Sequence, residues 1–234
     1  MTSKPNLLLL HGALGASDQF QALTVHLREE YSVHTYDFPG HGGKAFAEEP
    51  LSIPVLAKHL EDHLVEFHLV GCHVFGYSMG GYVALWLEAL KPGLFSSIMT
   101  LGTKFNWTRE SAEKEAKMID PSFLTAKVPR FAETLKLRHA PGDWTRLSAE
   151  TMHLMLHLAK HPLGLDAFGQ ITCKTRIALG DRDQMVSIAE TESTYTALPN
   201  ASLLILPETA HALEKVNHSY LAMEIKHFLQ NHGI

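Results

Sequence analysis

An apolar run, Leu69–Phe75, ends in Gly76-Tyr77-Ser78-Met79-Gly80-Gly81, and a strongly periodic stretch starts at once. Val83, Ala84, Leu87 and Leu90 recur at three- and four-residue spacing until Pro92-Gly93 stops them, so the stretch 79–90 reads as a helix. No loop is left between run and helix, and a strand must become a helix within a residue or two. A serine in such a G-x-S-x-G turn sits on a strained bend that lifts its hydroxyl clear of the sheet. The glycines two before and two after it have a steric purpose, because side chains there collide across so tight a turn. The pattern alone is modest evidence in a chain with 16 glycines; the strand before it and the helix after it give it weight.

The rest of the chain repeats the alternation. Short apolar runs at Asn6–Leu10, Ser32–Tyr36, Ser97–Leu101, Thr175–Leu179 and Ala201–Leu206 read as further strands. Helical stretches at about 18–29, 52–67, 187–197 and 217–230 lie between them. This order predicts an α/β fold with a mostly parallel central sheet flanked by helices. One interval breaks the rhythm. Residues 104–170 contain no convincing strand, only helix-compatible segments punctuated by Pro121, Pro129, Pro141-Gly142 and Pro162. The expected organisation is a core of 1–103 and 171–234 carrying a helical cap, 104–170, inserted before the last strands.

Composition removes several function classes. A net charge of −5 and the lack of a basic run give no electrostatic footprint for nucleic acid. Cys72 and Cys173, the only cysteines, make neither a disulfide framework nor a CxxC metal pair. The run Leu7–Leu10 is too short to span a membrane, and His11-Gly12 follows it where a cleavage site would need small residues. The expectation is a cytoplasmic protein without a membrane partner, monomeric or homodimeric.

A serine hydroxyl becomes a nucleophile near neutral pH only beside a base that a third group orients. In this architecture the acid and then the histidine follow the serine, each just past a later strand. After Thr175–Leu179 comes Gly180-Asp181-Arg182-Asp183-Gln184-Met185-Val186; after Ala201–Leu206 comes Pro207-Glu208-Thr209-Ala210-His211.

With these motifs in this order the chain resembles the α/β-hydrolase-fold serine hydrolases, a superfamily of esterase-like enzymes that often carry a helical cap. The resemblance runs from Leu7 to the carboxyl end, except for the insertion. The family pattern G-x-x-D-x-x-V is met by Gly180, Asp183 and Val186, which implies Asp183 as the triad acid with Ser78 and His211. Asp181 is the alternative if the loop register slips. Leu10-His11-Gly12-Ala13-Leu14 resembles the family's oxyanion loop and implies the backbone N–H groups of Ala13 and Met79 as the oxyanion donors, with His11 structural. Asp37-Phe38-Pro39-Gly40-His41-Gly42 resembles a family turn that fixes a loop beside the site.

The implied reaction is cleavage of a small to medium carboxylic ester through an acyl-enzyme, on a small-molecule substrate and with no metal or organic cofactor required. Carbon–carbon bond hydrolysis, thioester hydrolysis and cofactor-free perhydrolysis use the same machinery and stay open. A ligand receptor that keeps the fold without turnover is the reading from a different class. Ser78 argues against relatives that use aspartate at the elbow, and Tyr82 stands where lyases of the menaquinone pathway place an arginine. His153, His157 and His161, and His59 with His63, fall at four-residue spacing, but no HExxH occurs, and they read as helix faces. Trp107, Met118, Phe123, Phe131, Trp144, Met152, Leu154 and Met155 form the apolar stock of the insertion, a subset of which is expected to line a pocket above Ser78.

Overall fold

In the computed structural model, which describes residues 4–230, the run of four leucines becomes a strand with both faces covered. Strand β1 (Asn6–Leu10) pairs on one side with β2 (Ser32–Tyr36) and on the other with β3 (Cys72–Tyr77). β4 (Phe95–Leu101), β5 (Lys174–Gly180) and β6 (Ala201–Leu206) extend the sheet, all parallel, in the order β2-β1-β3-β4-β5-β6. Side chains alternate across a strand, so Leu8 and Leu10 enter one core while Leu7 and Leu9 enter the other. The first core packs against α2 (Ile53–Glu66) and α3 (Met79–Leu90). The second packs against α1 (Gln21–Leu27) and α10 (His218–Gln230). Helix α9 (Ile188–Ala197) links β5 to β6. The edge strands β2 and β6 are only partly buried, whereas β1 and β3 are nearly closed to solvent.

From β1 the chain steps outward to β2, then returns to place β3 on the other side of β1. Connections that leave in opposite directions open a crevice at the carboxyl ends of β1 and β3, which is where parallel sheets bind ligands.

Between β4 and β5 the chain forms α4 (Arg109–Met118), α5 (Pro121–Lys127), α6 (Pro129–His139), α7 (Trp144–Leu158) and α8 (Leu165–Phe168). Pro121 and Pro129 open helices rather than interrupt them, since a first helical residue needs no N–H partner. Thr108, Asp120 and Asp143 accept backbone N–H groups at the starts of α4, α5 and α7.

Some boundaries move from the sequence expectation. β3 begins at Cys72, because Leu69–Gly71 is the turn leaving α2: His68 and Gly71 take positive φ, and the Leu69 N–H closes on Leu64. β4 begins at Phe95; the buried Glu88 carboxylate collects the N–H groups of Gly93, Leu94 and Phe95 and starts the strand early. The stretch after residue 16 opens as a 3-10 turn, Ser17–Phe20, before α1. Helix α3 is buried nearly all round, and Leu90, counted above in its apolar face, is 55% exposed. Among the described residues no helix is long and apolar enough to cross a membrane.

Candidate active site

Ser78 stands between β3 and α3 with φ 50° and ψ −116°, a conformation that costs a non-glycine residue of order 1–3 kcal/mol. Its surroundings hold it there. The Ser78 N–H donates to the Leu101 carbonyl (2.8 Å), and its own carbonyl accepts from Thr103 Oγ1 (3.0 Å) and from the N–H groups of Gly81 and Tyr82. A methyl group on Gly76 would lie 2.5 Å from Gly81 Cα, and one on Gly80 would lie 2.4 Å from the Leu10 carbonyl oxygen. Only glycine allows β3, α3 and the end of β1 to come so close.

His211, on the loop after β6, donates from Nδ1 to Asp183 Oδ2 at 2.7 Å. Asp183 Oδ1 accepts from the N–H groups of Met185 (2.8 Å) and Val186 (2.9 Å), and its side chain is 1% exposed. Burial pushes the Asp183 carboxyl up; the His211 hydrogen bond and charge and the two N–H groups outweigh that and hold it below the usual carboxylate range. With Nδ1 engaged, Nε2 is the nitrogen left for proton transfer. The Tyr77 hydroxyl donates to the His211 carbonyl at 2.9 Å, so the residue preceding Ser78 also fixes the backbone of the histidine.

Asp181 is placed otherwise. It is exposed and accepts the Thr209 N–H at 3.0 Å, which ties the loop after β5 to the loop carrying His211. Hydrogen bonds from the N–H groups of Glu208 and Thr209 hold its carboxyl below the usual range.

Ala13, Ser78, Met79 and His211 line one cavity of about 530 Å³. Among the described residues neither the Ala13 nor the Met79 N–H meets a protein acceptor. The Met79 group opens α3, where helix N–H groups lack intrahelical partners. Trp107, Met118, Phe131, Leu154 and Met155 bring the segment 104–170 into the cavity wall, while Phe123, Trp144 and Met152 lie elsewhere. Tyr82 also lines it, and its hydroxyl accepts the Leu163 N–H at 2.9 Å, tying α3 to that segment.

A feature the sequence reading missed lies behind the loop Gly12–Leu14. His11, His41 and His139 form a fully buried imidazole cluster, with ring centroids 4.8 Å apart between His11 and His41 and 5.8 Å between His41 and His139. His11 Nε2 accepts the Phe38 N–H and Nδ1 donates to the Gly12 carbonyl. His139, from α6, accepts the Gly42 N–H at Nδ1 and donates from Nε2 to the Leu14 carbonyl. Burial holds His11 down at about 4, His41 well below its ordinary value and His139 below it as well, so all three are neutral at pH 7. Asp37 accepts the Ser17 N–H at 2.7 Å and stands 3.7 Å from His11.

His157 and His161 stack 4.6 Å apart, and His63 stacks on Tyr36 and Phe67. Among the described residues no group of three His, Cys, Asp or Glu side chains is placed to hold a metal ion.

Comparison with known proteins accords with this architecture. Residues 5–154 match the sequence model of the alpha/beta hydrolase fold. The pimeloyl-[acyl-carrier protein] methyl ester esterase of Chromobacterium violaceum is 26% identical over 231 residues, covering 89% of this chain and 87% of that protein. The enzyme of that name from Vibrio parahaemolyticus is 21% identical over 250 residues, covering 97% and 95%. A hydrolase from Pseudomonas aeruginosa superimposes with a TM-score of 0.79 at 17% identity, over 97% of this chain and 90% of the other. The enol-lactonase of Burkholderia xenovorans does so with 0.78 at 15%, over 98% and 93%. The chain belongs to the α/β hydrolase fold family and is a hydrolase.

Proposed function

We propose that the chain is a serine hydrolase that cleaves a small to medium carboxylic ester through an acyl-enzyme. The observation that carries this reading is the 2.7 Å hydrogen bond from His211 to a buried Asp183, in a cavity that His211 shares with the strained Ser78. His211 Nε2 takes the Ser78 proton as the hydroxyl attacks the ester carbonyl. Asp183 fixes the imidazole tautomer and stabilises the imidazolium that forms. The Ala13 and Met79 N–H groups receive the negative charge of the tetrahedral intermediate. His211 returns its proton to the departing alkoxide, and water then attacks the acyl-serine with His211 again as base. None of these steps needs a metal or organic cofactor.

The ester assignment draws support from the names of the two esterases matched above and from the apolar lining of the cavity. In this reading the helices between residues 104 and 170 act as a cap: they supply part of the cavity wall, shed water from the site and size the acyl group.

The experiment is covalent trapping. A fluorophosphonate probe should add one equivalent to the protein, and peptide mapping should place it on Ser78. Labelling at another residue, or none in a folded protein, would remove the nucleophile from this scheme.

A further inference from the structure

The polar groups in the cavity wall divide by whether a partner already holds them. Arg138 pairs with Asp18 and Glu214, and Gln19 donates to Glu214. Lys104 donates to the Met185 carbonyl and stands 3.9 Å from Glu190. Lys114 is exposed, with its ammonium free to be hydrated.

Glu115 is different. It sits on the buried face of α4 beside Ala112 and Ala116, where that helix packs on α7; it is 6% exposed, and it lines the cavity. Among the described residues no hydrogen bond or ion pair reaches its carboxylate. Its oxygens are not sealed from solvent, so a group that displaces water from them must bring a donor of its own or leave the carboxylate desolvated at a cost. The neighbouring wall residues Met118, Ile119, Leu154 and Met155 have no side-chain N–H or O–H to offer. Lys114, one residue before Glu115, lines the same cavity but forms no ion pair with it. A donor that replaces that water arrives through the cavity, which is the cavity that holds Ser78.

We propose that Glu115 is a specificity-determining residue that accepts a hydrogen bond from a hydroxyl or amide N–H carried by the substrate away from its scissile carbonyl. This rests on the hydrolase reading above and deepens it: the acyl chain is predominantly apolar and carries one donor. A carboxylate at that place meets like charge and is rejected; a methyl or methoxy group leaves Glu115 desolvated and unpaired. Glu115 does not touch the reacting atoms. It selects which acyl group settles with its carbonyl at Ser78.

The test uses p-nitrophenyl esters of one acyl length ending in hydroxyl, methoxy or carboxylate, with the wild-type protein, Glu115→Gln and Glu115→Leu. In the wild type, kcat/KM for the hydroxyl chain should exceed that for the methoxy chain by about 10–100-fold, because a site built to receive a hydroxyl proton penalises its loss. The ratio should fall to about one in Glu115→Leu and be partly retained in Glu115→Gln, whose amide oxygen still accepts. An unchanged ratio in Glu115→Leu, or a wild type that prefers the carboxylate chain, overturns the proposal. Calorimetric binding of the corresponding N-methyl amides gives the same ratio without turnover. If no ester is cleaved the proposed ester-hydrolase reading fails, while the amide series still decides the role of Glu115. Glu115→Leu places an apolar side chain on the packed face of α4 and should melt no lower than the wild type. Lower melting of both variants would reveal a structural partner for Glu115 and also overturn the proposal.

Discussion

His139 Nε2 donates to the Leu14 carbonyl at 3.1 Å, which ties a helix of the 104–170 segment to the loop that carries Ala13. Through Nδ1 the same ring receives the Gly42 N–H at 3.0 Å, so one imidazole joins three segments far apart in sequence. Leu14 itself has φ 56°, a left-handed conformation that a leucine keeps only when its surroundings impose it. The aim of the Ala13 N–H therefore depends on a residue 126 positions away in the numbering.

His139→Ala should lower kcat by about 10–100-fold, since small misplacements of a transition-state donor are costly. KM should move less than kcat, and stability should fall by about 1–3 kcal/mol as the Leu14 and Gly42 groups lose their partner. Steady-state kinetics and a denaturant melt check both. A change confined to KM would place His139 in substrate binding instead.

The buried cluster sets a pH limit on the fold. His11, His41 and His139 all have folded-state pKa values below that of an exposed histidine, His11 at about 4. In the interval between the unfolded value near 6.5 and the folded values, the unfolded chain binds more protons. Stability is thus full above about pH 6.5 and declines as pH falls toward about 4. Melting temperature should drop steeply across this window. In His41→Phe, which removes one of the three groups, the drop should be shallower; a flat profile in the wild type would contradict the neutral cluster.

Asp183 and Asp181 are separable by kinetics. Asp183→Asn should cost about 10³–10⁴-fold in kcat, because an amide there favours the wrong imidazole tautomer. Asp181→Asn weakens a bond to the Thr209 N–H and should cost under about tenfold, with a small loss of stability. The opposite order would move the triad acid to Asp181.

Tyr77→Phe deletes the hydroxyl that holds the His211 carbonyl and leaves the ring in place. A several-fold loss of kcat at nearly constant KM is expected, with about 1 kcal/mol of stability lost. Kinetics equal to wild type would show that the loop after β6 holds His211 unaided.

The sheet and the elbow were legible because their causes are local. Gly76, Ser78 and Gly80 stand at fixed spacing, and a strand made of Leu7–Leu10 needs both faces covered wherever it goes. The 2.7 Å contact between Asp183 and His211 was legible only as an order of motifs, since order shows which loops meet and not which oxygen they share. Strand starts were misjudged where a side chain from another element sets them, as Glu88 does for β4. His139 and Glu115 carried no local signal. Each sits in an ordinary polar helix stretch, and its meaning comes from what α6 and α4 are packed against. A histidine followed by Ala140-Pro141-Gly142 marks a helix end, and nothing in those letters says that the ring turns inward to Leu14.

The central claim is that Ser78, activated by His211, forms and hydrolyses an acyl-enzyme. Its most direct test is a time course with p-nitrophenyl esters of increasing acyl length, with Ser78→Ala run alongside and its folding checked by melting. The account predicts sustained turnover in the wild type, a preferred acyl length set by the cavity of about 530 Å³, and a loss of at least about 10³-fold in the variant. Substantial turnover by a folded Ser78→Ala protein, or a single stoichiometric burst with no further turnover in the wild type, would contradict it.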